Sequence, residues 1–295
     1  VEHNDASGSV DEQAYIKKLT SDVRIVSIVH TSPVTGMTVD LEKITKEVRN
    51  VTPDCIIIVD GIQHSSHGAI DVQKYDIDGY VVSPYKMFSR HGYGVAWASD
   101  RLCTLNKEQL ADGPFQNWEL GTRDAGSYAT FSDVVDYLDW LGSNFTESEN
   151  TRERLEASSI AIKSHEQELV DLVINGAEDI VGLRNNKKIR IIGNSASTSR
   201  EGVVSFFHKN KPSRIIVEEL RQRKIRVHIR KDDHYCGNIL RPLNQKDCIR
   251  FSICHYNSKA EVVEFMKAMN EICSNYRILF ILLSILFLKM SFSLS

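Results

Sequence analysis

Ile56-Ile57-Ile58-Val59-Asp60-Gly61-Ile62-Gln63-His64, followed by Tyr80-Val81-Val82-Ser83-Pro84-Tyr85-Lys86, decides the fold. Each half is an apolar, β-branched run that stops at polar residues. That pattern predicts two buried strands of an α/β sheet. In open α/β sheets, ligands sit in the crevice at the carboxyl ends of the strands. Asp60, Gln63, Ser83 and Lys86 therefore bring a carboxylate, an amide, a hydroxyl and an amine to one crevice.

Those four groups suit one chemistry. A pyridoxal ring needs a lysine for a Schiff base and a carboxylate that keeps the pyridine nitrogen protonated, so that the ring acts as an electron sink. It also needs donors for its phenolate oxygen and its phosphate. A buried lysine gives up its proton readily and becomes a usable nucleophile.

Asp60-Gly61-Ile62-Gln63-His64 with Ser83-Pro84-Tyr85-Lys86 resembles the cofactor signature of class V aminotransferases. Within that superfamily it is most similar to the cysteine desulfurase-like and isopenicillin-epimerase-like branch. The resemblance runs from about Ile25 to about Ile272. It implies a fold-type I pyridoxal-phosphate transferase, α/β in class. Residues 1–145 would form a partial large domain on a mainly parallel sheet, and 146–275 a smaller α+β domain. The tail at 276–295 would lie outside the fold. It further implies pyridoxal 5'-phosphate as cofactor, an amino-acid substrate and a homodimer with shared sites. Lys86 would form the Schiff base and move the α-carbon proton. Asp60 would face the ring nitrogen, Gln63 the phenolate and Ser83 the phosphate.

Further motifs carry the same resemblance. Trp118-Glu119-Leu120-Gly121-Thr122-Arg123 is similar to the family's Gly-Thr segment, in which Gly121 and Thr122 would reach the phosphate of the partner subunit. Ile249-Arg250-Phe251-Ser252-Ile253-Cys254-His255-Tyr256-Asn257 is similar to the segment whose arginine clamps the substrate carboxylate. A guanidinium fork suits that role because it binds both oxygens. Cys236 lies where some desulfurases carry the sulfur-accepting cysteine. The role requires a thiolate, favoured by Arg230 or a protonated His234 and disfavoured by Asp232 and Asp233. His30 ends a strand, near the cofactor or substrate. In His30-Thr31-Ser32-Pro33-Val34-Thr35-Gly36, Pro33 stands where the family has a carboxylate-holding Asn, and proline offers no donor. Ser89-Arg90 replaces the family's Gly-Pro.

The remaining chain predicts strands at Arg24–Val29, Gly94–Ala98, Ile189–Ile192, Val203–Phe207, Ile225–Ile229 and Ile249–Ile253. Helices are predicted at Asp40–Val48, Ser132–Leu141, Thr151–Ile174, Pro212–Arg223 and Ala260–Ile272, with Asp40 as an N-cap. Ile278 to Leu288 is too short an apolar run to span a bilayer, so a membrane role is not expected. Charged residues make up 25% of the chain and the net charge is −3 without a basic block, which argues against a nucleic-acid partner. The six cysteines include no Cys-x-x-Cys pair and no signal peptide is visible, so a reducing compartment is expected: cytoplasm, with mitochondria left open. His64 and His67 sit at a metal-compatible spacing but lack companions in a known pattern, and no metal is expected. The start, Val1-Glu2-His3, reads as the middle of a longer chain. The rival reading is an inactive fragment that only dimerises or binds cofactor weakly.

Overall fold

The computed structural model describes residues 1, 3–4, 10–114, 117–118, 120–122, 124–194, 196 and 200–274. Glu119, Arg123 and the apolar tail from 276 onward lie outside the described residues.

The first of two main sheets holds β1 (Ile25–Val29), β2 (Ile56–Asp60), β3 (Gly79–Val82) and β4 (Val95–Ala98), in that order. β1, β2 and β3 are parallel, and β4 runs antiparallel to β3. Val29 pairs with Asp60 and Asp60 with Val81, so the strand ends form one level rim. Two helices belong to the same half: α1 (Glu12–Ile16), before β1, and α2 (Leu41–Val51), between β1 and β2. The Asp40 side chain accepts the Lys43 N–H and caps α2. Leu41, Ile44 and Val48 recur at helical spacing and pack on Val26, Ile28, Ile57 and Val59.

β1 departs from the fully buried strand that its composition predicts. Val26 and Ile28 are buried, whereas Ile25 is 65% exposed and Val29 47%. A strand covered on one face alternates in this way.

α3 (Asp100–Cys103) follows β4, and α4 (Ala125–Gly142) packs along α5 (Thr151–Asn175). α4 begins well before the amphipathic run at Ser132, because the Asp124 carboxylate accepts both the N–H and the hydroxyl of Ser127. A hairpin of β5 (Gly176–Ala177) and β6 (Ile180–Val181) leads to the second main sheet. That sheet is fully antiparallel, in the order β7 (Ile189–Ile191), β8 (Val203–His208), β10 (Asp247–Ser252), β9 (His228–Lys231). Its helices are α6 (Ser213–Gln222), α7 (Gly237–Leu240) and α8 (Lys259–Ser274). Phe206, Ile249, Leu220, Phe265 and Met269 meet Leu169 and Val173 of α5 in one core.

β9 starts later than the Ile225–Ile229 run predicts. The end of α6 explains the shift. Lys224 is left-handed at φ 62°, its N–H bonds the Arg221 carbonyl, and the Ile225 N–H bonds back to Leu220. This helix stop takes the backbone donor that a strand would need.

The two halves meet along the loop after β1. Met37 bridges to Arg200, and the Glu201 N–H donates to the Gly36 carbonyl. Ser205 Oγ donates to the Val34 carbonyl. Gly36 has φ +75°, and any Cβ there would collide with the Val203 carbonyl.

Candidate active site

Asp60 ends β2, and its carboxylate accepts the Ile62 N–H at 3.0 Å, which turns the chain away from the sheet. A short 3-10 turn over His64–Ser66 follows. Ser83 precedes a second 3-10 turn, Pro84–Met87, which carries Lys86; its side chain makes no cap bond to that turn. Phe88 closes the turn in the left-handed region at φ 72°, a strained conformation for a bulky residue. It packs edge-on against His255.

The crevice has a lysine wall. Lys86 Nζ donates to Gln63 Oε1 at 2.9 Å. Gln63 Nε2 lies 3.0 Å from His67 Nε2, and His67 Nδ1 lies 2.6 Å from Glu166 Oε2 on α5. Beside this chain, His64 Nδ1 lies 2.5 Å from Glu201 Oε1. Burial, followed by the positive charge of Arg250, brings the Lys86 amine down to about 8, against the pull of Asp60; Arg230 adds to the depression. Burial opposes a charge on His67, but its bond to Glu166 and the charges of Glu166 and Glu201 outweigh that, and its basicity rises.

The opposite wall is made of arginines. Arg250 Nη1 donates to the Pro33 carbonyl at 3.0 Å. Pro33, which lacks the donor of the family's Asn, thus orients the guanidinium through its own acceptor. The Nε atoms of Arg250 and Arg230 are both buried without a partner. Such orphaned donors are costly unless an acceptor arrives.

Cys236 sits just ahead of α7, near both arginines, but is only 1% exposed and packs with Val34, Phe207, Leu240 and Cys248. Burial pushes its thiol up although Arg230 pulls the other way. The thiolate that sulfur acceptance requires is disfavoured in this conformation. His30 is buried, bonded through Nδ1 to the Tyr80 hydroxyl at 2.9 Å and stacked on His64 at 3.7 Å between centroids. Burial and His64 drive its ring down to about 2, so it is neutral. Gly121 and Thr122 are exposed, and open space lies where a Gly121 Cβ would point.

Sequence reasoning missed His67 and Glu166 as parts of this site. His67 is four residues after Gln63, and Glu166 falls inside the buried stripe Ile162, Leu169, Val170, Val173 of α5. A carboxylate within an apolar stripe was the available signal.

The family profile described as Aminotransferase class-V matches residues 1–265, and the chain belongs to that family. It is 24% identical to a "Probable cysteine desulfurase" of Treponema pallidum, over 91% of this chain and 63% of the relative. It is 26% identical to "Aminotransferase-like protein FGM3" of Gibberella zeae, over 88% of this chain and 62% of the relative. In structure it is similar to the apo cysteine desulfurase of Thermococcus onnurineus NA1, with TM-score 0.74 and 20% identity over 93% of this chain and 66% of that one. The chain therefore spans somewhat under two thirds of the length of these curated relatives. Among the described residues, no helix is long and apolar enough to cross a membrane.

Proposed function

We propose that this chain carries the lysine-bearing part of a pyridoxal-phosphate enzyme that acts on an amino acid. The observation that supports this reading above all is Lys86: a half-buried amine bonded to Gln63 and brought down to about 8 by burial and two arginines, against the pull of Asp60. The residues fit the group. Two buried, unpartnered guanidinium donors await acceptors, and the Ser83 hydroxyl makes no cap bond. When bound, the cofactor supplies an electron sink for the substrate's α-carbon. Lys86 would hold it and, as acid and base, would move the α-carbon proton. Asp60 would hold the ring nitrogen, Gln63 the phenolate and Ser83 the phosphate. Arg250, oriented by Pro33, takes the substrate carboxylate. Exposed Gly121 and Thr122 would complete the phosphate site of a second copy in a homodimer.

Buried Cys236 favours chemistry that ends at Lys86, aminotransferase-like, over chemistry that passes sulfur to Cys236. The test is an absorbance titration with pyridoxal phosphate of wild type and Lys86→Ala. A visible band that saturates in the wild type and is absent in the variant supports the reading; no band in either overturns it for this chain.

A further inference from the structure

The Gln63 amide stands between two bases. Lys86 Nζ lies at its carbonyl and His67 Nε2 at its NH2 group. An amide offers an acceptor on one side and donors on the other, and half a turn exchanges them without changing its shape. With the carbonyl toward Lys86, the lysine donates, and does so more strongly as the ammonium, and His67 must present a lone pair at Nε2. With the amide turned, NH2 faces the free amine of Lys86, and His67 must donate from Nε2. His67 Nδ1 faces the Glu166 carboxylate in both arrangements, so it always carries a proton. With Lys86 as the ammonium in the first, the two arrangements hold the same total of protons and differ only in which base has the extra one.

We infer that the His67–Glu166 pair is a positioning device for Lys86: through the Gln63 amide, His67 takes the proton when Lys86 is the free amine and is neutral when Lys86 is the ammonium. Its usefulness rests on the reading of Lys86 as the cofactor-binding amine, because a phenolate opposite Gln63 accepts and so demands the turned amide. The coupling itself does not rest on that reading.

The surroundings support a pair that can hold the charge. His67 faces Glu166 from α5 and Glu201 from the segment before β8, while Lys86 repels it. Lys86 in turn faces Asp60, Arg230 and Arg250. Glu166 also feels His165, and its Oε1 is buried without a partner on the wall of a cavity of about 180 Å³ shared with Lys163 and Arg200. Burial opposes a charge on His67, but its bond to Glu166 and the charges of Glu166 and Glu201 outweigh that, so the pair holds a proton on its ring, while Lys86 favours release.

The experiment uses the cofactor-free protein. The free-amine fraction of Lys86 is followed against pH by dilute acetic anhydride labelling and mass spectrometry, for wild type, Glu166→Gln, Gln63→Met and the double variant. Glu166→Gln deprives a protonated His67 of its ion partner, so the proton moves to Lys86. The labelling midpoint should rise by about half a pH unit or more, roughly a threefold drop in free amine at a pH below the midpoint. Simple removal of a negative charge predicts the opposite sign, so an unchanged or lowered midpoint overturns the inference. In the Gln63→Met background the Glu166→Gln shift should vanish; a shift that persists there also overturns it. Nitrogen NMR of the wild-type His67 ring needs no variant to fold. Its Nε2 resonance should change across the Lys86 titration, and an invariant ring over that range overturns the coupling. A protein that passes these tests but shows no visible band with pyridoxal phosphate would fail the cofactor reading alone.

Discussion

The two walls of the crevice handle polarity in opposite ways. On the lysine wall, Lys86, Gln63, His67 and Glu166 are linked group to group, and only the second oxygen of Glu166 is left over. On the arginine wall, Arg230 and Arg250 each bury an Nε that bonds nothing. A satisfied buried network fixes geometry. Unpaired buried donors store affinity for an acceptor that has yet to arrive. One wall holds its groups still, and the other leaves buried donors free for an anion.

That contrast can be broken or sharpened by measurement. Substitutions on the lysine wall should cost stability. Glu166→Ala leaves His67 without its buried partner and should lower the free energy of unfolding by about 3 kcal/mol, read by urea denaturation. An unchanged midpoint would mean that the lysine wall is no more constrained than its opposite. Arg250→Ala should cost only the bond to Pro33, about 1 kcal/mol of stability, and chiefly raise KM for a carboxylate-bearing substrate about 30-fold, as expected for loss of about 2 kcal/mol of charge-assisted bonding. Arg250→Lys should recover only part, because an ammonium lacks the fork.

The anion-capturing wall also predicts that succinate or a similar dicarboxylate raises the melting temperature of the wild type by a few degrees. Arg230→Ala should abolish that rise, and a rise of the same size in the variant would assign it elsewhere. The smallest effect belongs to Cys236→Ala. If buried Cys236 carries no sulfur, sulfide release from cysteine should stay within about twofold of wild type, with a stability loss of roughly 1 kcal/mol. A collapse of sulfide release would restore the acceptor role.

The sequence made the lysine wall half legible. Asp60, Gln63 and Lys86 follow apolar strands, and period and strand ends place them without further help. His67 and Glu166 were hidden because they are 99 residues apart in the chain and meet only when α5 packs across the loop after β2. The arginine wall was legible as residue types: Arg250 stood out in its motif. Its orientation was not, since it depends on the backbone carbonyl of Pro33, which no side-chain pattern records. Strand limits failed where the neighbouring turn took the backbone donors, as at Ile225. The exposed outer face of β1 was equally invisible, because composition reports only that a residue is able to be buried.

The grip on Gly36 has a consequence for motion. Main-chain contacts tie the loop after β1 to Val203 and Glu201, and the Arg250 side chain holds the Pro33 carbonyl from the neighbouring strand. Arg250, the proposed carboxylate clamp, and this loop are therefore a single moving part. Any closing stroke over a bound amino acid must bend the chain outside that seam, and the loop will travel with the clamp as its passenger.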